Sequence, residues 1–373
     1  MSIIIGADIV PTESNQEMFE HSEIEYLIGQ DLYEVLQKAD YRIFNLETPL
    51  VNCVRPIQKN GPLLSAPPNS INALKALNIG LLTLANNHIM DQDIQGLAST
   101  IKTLDEAEIL HVGAGNALEE AKAPVFLTIK DKQYGVYACA EHEFSIAGGS
   151  TPGANPFDPL ESLDHVAQMK AQCDYAIVLY HGGKEYYRYP SPNLQKTCRK
   201  LVEKGANLVI CQHSHCIGCE EKYLGATIVY GQGNFLFDNG NDEYGSTSIL
   251  VYIRDDETIE YIPLSKKGNG VRLATDNEGK QILDAFRKRS QEIRTPGVVE
   301  SNYKDFAKKT IDNYILTLSG KSVNLPFRVI NKLSGHKLQK KMAEQYRRKL
   351  NVQIRNYIEC EAHRELLIKG LED

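Results

Sequence analysis

The sequence predicts an α/β fold, either one mixed sheet or two packed sheets with helices outside. Three observations carry that prediction. Short apolar runs rich in β-branched residues recur through residues 1–264, most of them separated by stretches with apolar residues at helical spacing. The later runs follow one another as plain strands, without helices between them. Five of the runs end on a carboxylate, an amide or an imidazole. In α/β proteins such residues collect at the carboxyl edge of the sheet, where active sites form.

In chain order, residues 3–5 form a continuous apolar run that delivers Asp8. Residues 23–38 place Ile24, Leu27, Ile28, Leu32, Val35 and Leu36 at helical spacing. A strand over 41–46 ends on Glu47, and residues 51–68, with prolines, glycine and asparagine, read as an irregular loop. A short helix over 70–77 and a buried strand over 81–85 lead to Asn86-Asn87-His88. A helix over 93–106 returns to a strand at 109–112, and an antiparallel pair follows at 125–129 and 134–139. After a Gly/Pro/Ser-rich loop at 144–158, a helix over 159–172 precedes a strand at 175–180 that ends at His181-Gly182-Gly183. A helix over 192–204 leads to a strand at 206–211 and then to Gln212-His213-Ser214-His215. Further strands are expected at 227–230, 248–253 and 258–263.

The character changes after about residue 265. Residues 266–276 read as a polar, Gly-rich linker, 278–294 and 302–318 as helices, and 336–366 as one long helix. The expected division is therefore a first domain at 1–264 and a helical extension at 265–373. Residues 336–355 of the long helix hold seven Lys/Arg against one Glu. That pattern fits a solvated helical face, or a docking surface for an acidic polymer, a partner or a membrane.

Composition excludes several classes. A net charge of −7 over 373 residues does not advertise nucleic-acid binding. No apolar run reaches the roughly 18 residues of a membrane span. The first residues enter a strand without a basic leader, which places the expectation in the cytoplasm, with a position peripheral to the membrane also open. The eight scattered cysteines are then expected as reduced, mostly buried thiols. Cys216 and Cys219, with Cys211 nearby, have no second paired motif and do not read as a structural zinc site. The chain has no Walker A motif and no GxGxxG after a strand, which excludes an ATP-using ligase of the P-loop type.

The residues at the strand ends are Asp8, Glu47, Asn87-His88, His181, and His213 with His215, all oxygen or imidazole donors suited to divalent transition metals. With their neighbours they form a series of motifs: Gly6-Ala7-Asp8, Asn45-Leu46-Glu47, Leu84-Ala85-Asn86-Asn87-His88 with Asp91, His181-Gly182-Gly183-Lys184-Glu185-Tyr186, Gln212-His213-Ser214-His215, and a last one from Tyr230 through Asn234 to Asp238. In this order the series resembles the CapA, or poly-γ-glutamate capsule biosynthesis, proteins, which belong with the calcineurin-like metallophosphatases. The resemblance covers about residues 1–264 and not the tail.

The resemblance implies a four-layer α/β/β/α sandwich with a dinuclear site at the sheet edge. By motif, Asp8 and His215 would hold one metal and Asn87, His181 and His213 the other, with Glu47 in the bridging position. His88 would stand beside the metals as general acid or transition-state stabiliser, and with Asn87 it makes the expected catalytic pair. Asn45, Glu185 and Asn234 would orient the ligands or touch substrate; for Glu185 both a bond to His181 and the start of a turn are open. Two features depart from the superfamily: Val10 stands where a histidine ligand is usual, and Glu47 replaces an aspartate. One or two divalent metals (manganese, zinc or iron) are therefore both consistent with the pattern. The implied function is a metal-dependent hydrolase of the phosphoesterase type in capsule or exopolymer biosynthesis, with an anionic polymer or phosphoester as substrate. The alternative is a non-catalytic metal-binding subunit that handles polymer or partner in a synthase complex.

Overall fold

The apolar runs form two principal sheets. A computed structural model describes residues 2–237, 244–320, 324–349 and 351–371, and it divides the chain into two units, Met1–Val299 and Glu300–Asp373. The first unit begins with β1 (Ile3–Val10), α1 (Gln16–Glu20), α2 (Ile24–Leu27), α3 (Gln30–Lys38), β2 (Tyr41–Leu46), α4 (Ile71–Ala76), β3 (Leu81–Thr83), α5 (Asp93–Glu106) and β4 (Leu110–Val112). It continues with β5 (Ala114–Gly115), α6 (Leu118–Ala121), β6 (Val125–Ile129), β7 (Lys132–Ala140), β8 (Gly153–Ala154), α7 (Ser162–Lys170), β9 (Tyr175–His181), α8 (Pro192–Glu203) and β10 (Leu208–Gln212). It ends with β11 (Glu220–Tyr223), β12 (Ala226–Tyr230), β13 (Asn234–Phe237), β14 (Thr247–Ile253), β15 (Ile259–Lys267), β16 (Gly270–Leu273) and α9 (Asp276–Glu292).

The first sheet runs β16-β15-β14-β1-β2-β3-β4, with β13 also paired to β1, and the second runs β11-β12-β10-β9-β7-β6. Strands β1, β2, β3 and β4 are mutually parallel, as are β7, β9, β10 and β12. Alternation along β9 shows the layering. Tyr175, Ile177 and Leu179 join the core shared with the first sheet, while Ala176, Val178 and Tyr180 join the core packed against α7 and α8. Along β2, Arg42 turns the other way and donates to the Leu36 and Ala39 carbonyls at the end of α3, while Asn45 turns toward His181 of the second sheet. The order is helices, sheet, sheet, helices, the four layers expected. Leu32, Leu36 and Leu104 on the outer helices are fully buried, each contributing about 2 kcal/mol of apolar burial.

A bulge in β1 prepares the site. Its register against β2 shifts between Ile5 and Asp8, which frees the Ile5 and Gly6 carbonyls. Side chains take them up: Gln232 Nε2 donates to Ile5 O at 2.9 Å, and Gln212 Nε2, from β10 of the other sheet, donates to Gly6 O at 3.1 Å. A Cβ on Gly6 would lie 1.9 Å from the Phe44 ring, so only glycine fits there.

Several expectations are corrected. The helix over 23–38 is two helices, because Gly29 sits at φ 74 and ends α2 in a conformation no helix continues through. The linker at 266–276 is a hairpin: β15 runs to Lys267, Gly268-Asn269 make the turn, and Lys267 pairs with Gly270 of β16. Phe286 of α9 is buried with Ile217 and Ile249, so the division between units falls at 299/300 and not at 264/265. Strand β11, which hairpins onto β12, was not expected.

The second unit contains α10 (Val298–Leu318), which starts at the end of the first, then α11 (Leu325–Leu333), α12 (Lys337–Lys349), α13 (Asn351–Glu359) and α14 (Glu361–Gly370). The single long helix expected at 336–366 is interrupted at Cys360, which is extended at φ −77 and ψ 120 and separates α13 from α14; Leu350, between α12 and α13, lies outside the described residues. The unexpected α11 is capped by Asn324, whose side chain accepts from Phe327 N at 3.0 Å. Among the described residues no helix is long and apolar enough to cross a membrane. All eight cysteines are free thiols, five of them buried.

Candidate metal centre

Parallel strands in both sheets deliver the site. Asp8 lies in β1 just past the bulge, Glu47 follows β2, Asn87 and His88 follow β3, His181 ends β9, and His213 and His215 follow β10. Their side chains converge where the carboxyl ends of the two sheets meet. Asp8 and Glu47 are fully buried, and the four histidines and Asn87 are nearly so.

The turn after β10 is strained. His213 and His215 hold φ 78 and 52, each costing a non-glycine residue about 1 kcal/mol. That backbone aims both imidazoles inward, and one donor atom from each of Glu47, His213 and His215 lies within 4.8 Å of the others. The rings of His181 and His213 stand with centroids 4.9 Å apart. His181 Nε2 lies 3.0 Å from Glu47 Oε1 and 3.1 Å from Asn87 Oδ1.

A second ring of amides and carboxylates orients these groups. Asn45 Nδ2 donates to Asp8 Oδ1 at 2.8 Å and lies 3.4 Å from His181 Nδ1, while Asn45 Oδ1 accepts from Thr83 Oγ1 and Asn86 Nδ2. Asn234, the partner of Asp8 in the parallel β1–β13 pair, sets its Oδ1 2.9 Å from His215 Nδ1. A proton on Nδ1 completes that bond and leaves Nε2 with its lone pair available. Asn87 Nδ2 donates to Glu143 Oε2 at 3.0 Å, which fixes the amide so that Oδ1 faces His181. His88 Nδ1 lies 2.6 Å from Asp91 Oδ2, and Lys59 Nζ lies 2.5 Å from Asp91 Oδ1 and 3.1 Å from the Asn87 carbonyl. The Lys59 side chain is only 2% exposed.

Of the two readings open for Glu185, the turn is the one described: Gly183 sits at φ 108, and Glu185 pairs with Lys184 at 3.1 Å. The groups that orient His181 are Asn45, Asn87 and Glu47. Asp238, the last residue of the motifs, lies outside the described residues. Lys59 and Glu143 were not singled out from sequence. Both come from loops, and neither follows a strand end in a motif. The one available signal for Glu143 was its place just beyond β7, a sixth strand ending at the same edge.

The electrostatics are those of a cation site. Burial first, and then the Glu47 carboxylate, push the Asp8 carboxyl up to about 6, against the pull of His181, His215 and Asn45. Burial also acts upward on Glu47, but the imidazoles of His181, His215 and His88 outweigh it and hold the group well below the usual carboxylate range. Burial and the neighbouring imidazoles push His213 well down, whereas on His215 the carboxylates of Glu47 and Asp8 overcome burial and raise it. Asp8 Oδ2, both Glu47 carboxylate oxygens and His213 Nδ1 have no hydrogen-bond partner among the described residues. Buried carboxylate oxygens left so cost several kcal/mol unless a cation compensates them. Carboxylate, imidazole and amide oxygen are a fitting donor set for a divalent transition metal.

Comparison with known proteins places the chain in a family. Residues 2–239 match the sequence profile of the family described as bacterial capsule synthesis protein PGA_cap. The chain is 29% identical over 242 residues to the capsule biosynthesis protein CapA of Bacillus anthracis, a match covering 62% of this chain and 59% of that protein. It is 28% identical over 250 residues to the PGA biosynthesis protein CapA of Bacillus subtilis, covering 65% and 62%. The match thus spans about three fifths of the length of these relatives. Among solved structures, a phosphatase of Mycoplasma pneumoniae aligns over 71% of this chain and 93% of its own, with 13% identity and a TM-score of 0.44. A 5'-nucleotidase precursor of Thermus thermophilus aligns over 83% and 59%, with 12% identity and a TM-score of 0.40. The family match extends over more than half of the chain, through every strand-end residue of the site, and the chain belongs to the bacterial capsule synthesis protein PGA_cap family.

Proposed function

We propose that this protein is a metal-dependent hydrolase acting on an anionic capsule-type polymer or its phosphoester precursors. One observation carries the reading. Six strand-end donors from two sheets converge, and three of their buried carboxylate oxygens, Asp8 Oδ2 and both of Glu47, have no hydrogen-bond partner within the described residues. Asp8, Glu47 and His215 would hold one divalent ion, and Glu47, Asn87, His181 and His213 the other. Such an ion supplies charge that polarises a phosphoryl-type or acyl oxygen and acidifies a water.

The chain's own residues do the rest. Asn234 holds His215 with Nε2 available, and Glu143 holds Asn87 with its carbonyl oxygen turned toward His181. Asp91, pinned by Lys59 and by Leu64 N at 2.6 Å, accepts a hydrogen bond from His88 Nδ1–H. With Nδ1–H so held, a protonated His88 would give its Nε2 proton to the leaving group and return to the neutral Nδ1–H tautomer, or would stabilise charge there. Val10 leaves the Asp8–His215 side one protein donor short of the usual set, so the Glu47, Asn87, His181 and His213 side is the tighter position.

The test combines metal analysis with turnover. Metal per chain is measured by mass spectrometry, and a panel of phosphoesters and γ-glutamyl peptides is assayed with added manganese, zinc or iron. Near-stoichiometric metal is expected, with turnover that Asp8→Ala and His213→Ala abolish. Bound metal without turnover assigns the protein to the non-catalytic polymer-handling role. Metal-free protein, or turnover indifferent to both substitutions, overturns the proposal.

A further inference from the structure

The second unit carries a surface that the hydrolase reading does not use. On α11, Leu325, Val329 and Leu333 recur every four residues and are 67%, 51% and 83% exposed. Helical spacing sets Arg328 and Lys332 along one edge of this stripe, while Asn331 on the opposite side is buried. After a three-residue turn, α12 begins with exposed Lys337, Lys340 and Lys341. α14 buries none of its residues.

The charge of the unit indicates what covers this face. Residues 300–373 hold fifteen Lys/Arg against nine Asp/Glu, a net +6 in a chain of net −7, which leaves −13 on Met1–Val299. A second copy of the same face would set Arg328, Lys332, Lys337, Lys340 and Lys341 against the same five cations. A soluble polyanion would use the lysines and leave Leu325, Val329 and Leu333 in water. An anionic lipid surface satisfies both features, with aliphatic side chains entering the headgroup boundary and lysines meeting phosphate.

We propose that α11 and α12 form an interfacial docking surface for anionic membranes. The proposal stands apart from the hydrolase reading and is tested without any activity. The full chain is sedimented with vesicles of phosphatidylcholine alone and of phosphatidylcholine with phosphatidylglycerol, at physiological salt. The wild type is expected to pellet only with the anionic vesicles. V329S/L333S is expected to lose binding, and K337E/K340E/K341E to weaken it about a hundredfold, both with wild-type circular dichroism and metal content. Absence of binding to anionic vesicles overturns the proposal, as does binding that survives both sets of changes. Concentration-dependent dimerisation abolished by V329S/L333S would assign the face to a second copy instead. Binding of soluble poly-γ-glutamate indifferent to V329S/L333S, without vesicle binding, would assign it to the polymer.

Discussion

Asp8→Asn is expected to stabilise the metal-free protein while removing its response to metal. Burial and Glu47 raise the Asp8 carboxyl from 3.8 to about 6. A shift of about two units corresponds to roughly 3 kcal/mol by which the ionised group opposes folding at neutral pH. Because the folded-state value lies above the unfolded one, this contribution is favourable below about pH 4 and is lost as the pH rises through about 6. Across that interval the chelator-treated wild type should therefore lose stability relative to Asp8→Asn, the comparison cancelling the opposite contribution of the depressed His213. Asp8→Asn keeps the acceptor for Asn45 Nδ2, flattens the slope and raises the neutral-pH melting temperature by about 5 °C. Manganese at a hundredfold its Kd adds about 2.7 kcal/mol to the wild type, and the variant should gain much less. The assay is thermal unfolding from pH 4 to 8, with chelator and with manganese. A metal-free Asp8→Asn that melts below the wild type, or that gains as much from manganese, would show that Asp8 is not a carboxylate held for a cation.

Two further substitutions probe the surrounding groups. Lys59→Met breaks the buried pair with Asp91, and should cost about 3 kcal/mol by urea unfolding and lower kcat more than tenfold with little change in KM. An unchanged kcat would show that Lys59 does not help hold His88. Asn45→Ala leaves Asp8 Oδ1 and Thr83 Oγ1 unpaired, so metal-free stability should fall by about 3 kcal/mol and metal affinity with it. A loss below about 0.5 kcal/mol would contradict the role given to its amide.

The strand-end donors were legible because each follows an apolar run in sequence, and the parallel strands then set them on one edge. Lys59 was not legible: it lies in an irregular loop, and its ion-pair partner is 32 residues away in the chain. Glu143 is hidden in the same way, since its contact with Asn87 crosses from one sheet to the other. The helical periodicity over 24–36 runs straight across Gly29, because the two short helices bury the same kind of side chain on both sides of the break. At 266–276 the polarity suggested a linker, yet Lys267-Gly268-Asn269-Gly270 carries the Gly-Asn signature of a two-residue hairpin turn. The helical periodicity at 337–370 runs across Cys360, and nothing in the residue pattern marks Cys360 as extended.

The metal assignment is tested most directly by anomalous diffraction from crystals grown with manganese. At least one peak is expected within coordination distance of Glu47, His213 and either His181 or His215, and it should be lost in His213→Ala crystals. A metal bound elsewhere, or none at this cluster under saturating manganese, would contradict the assignment.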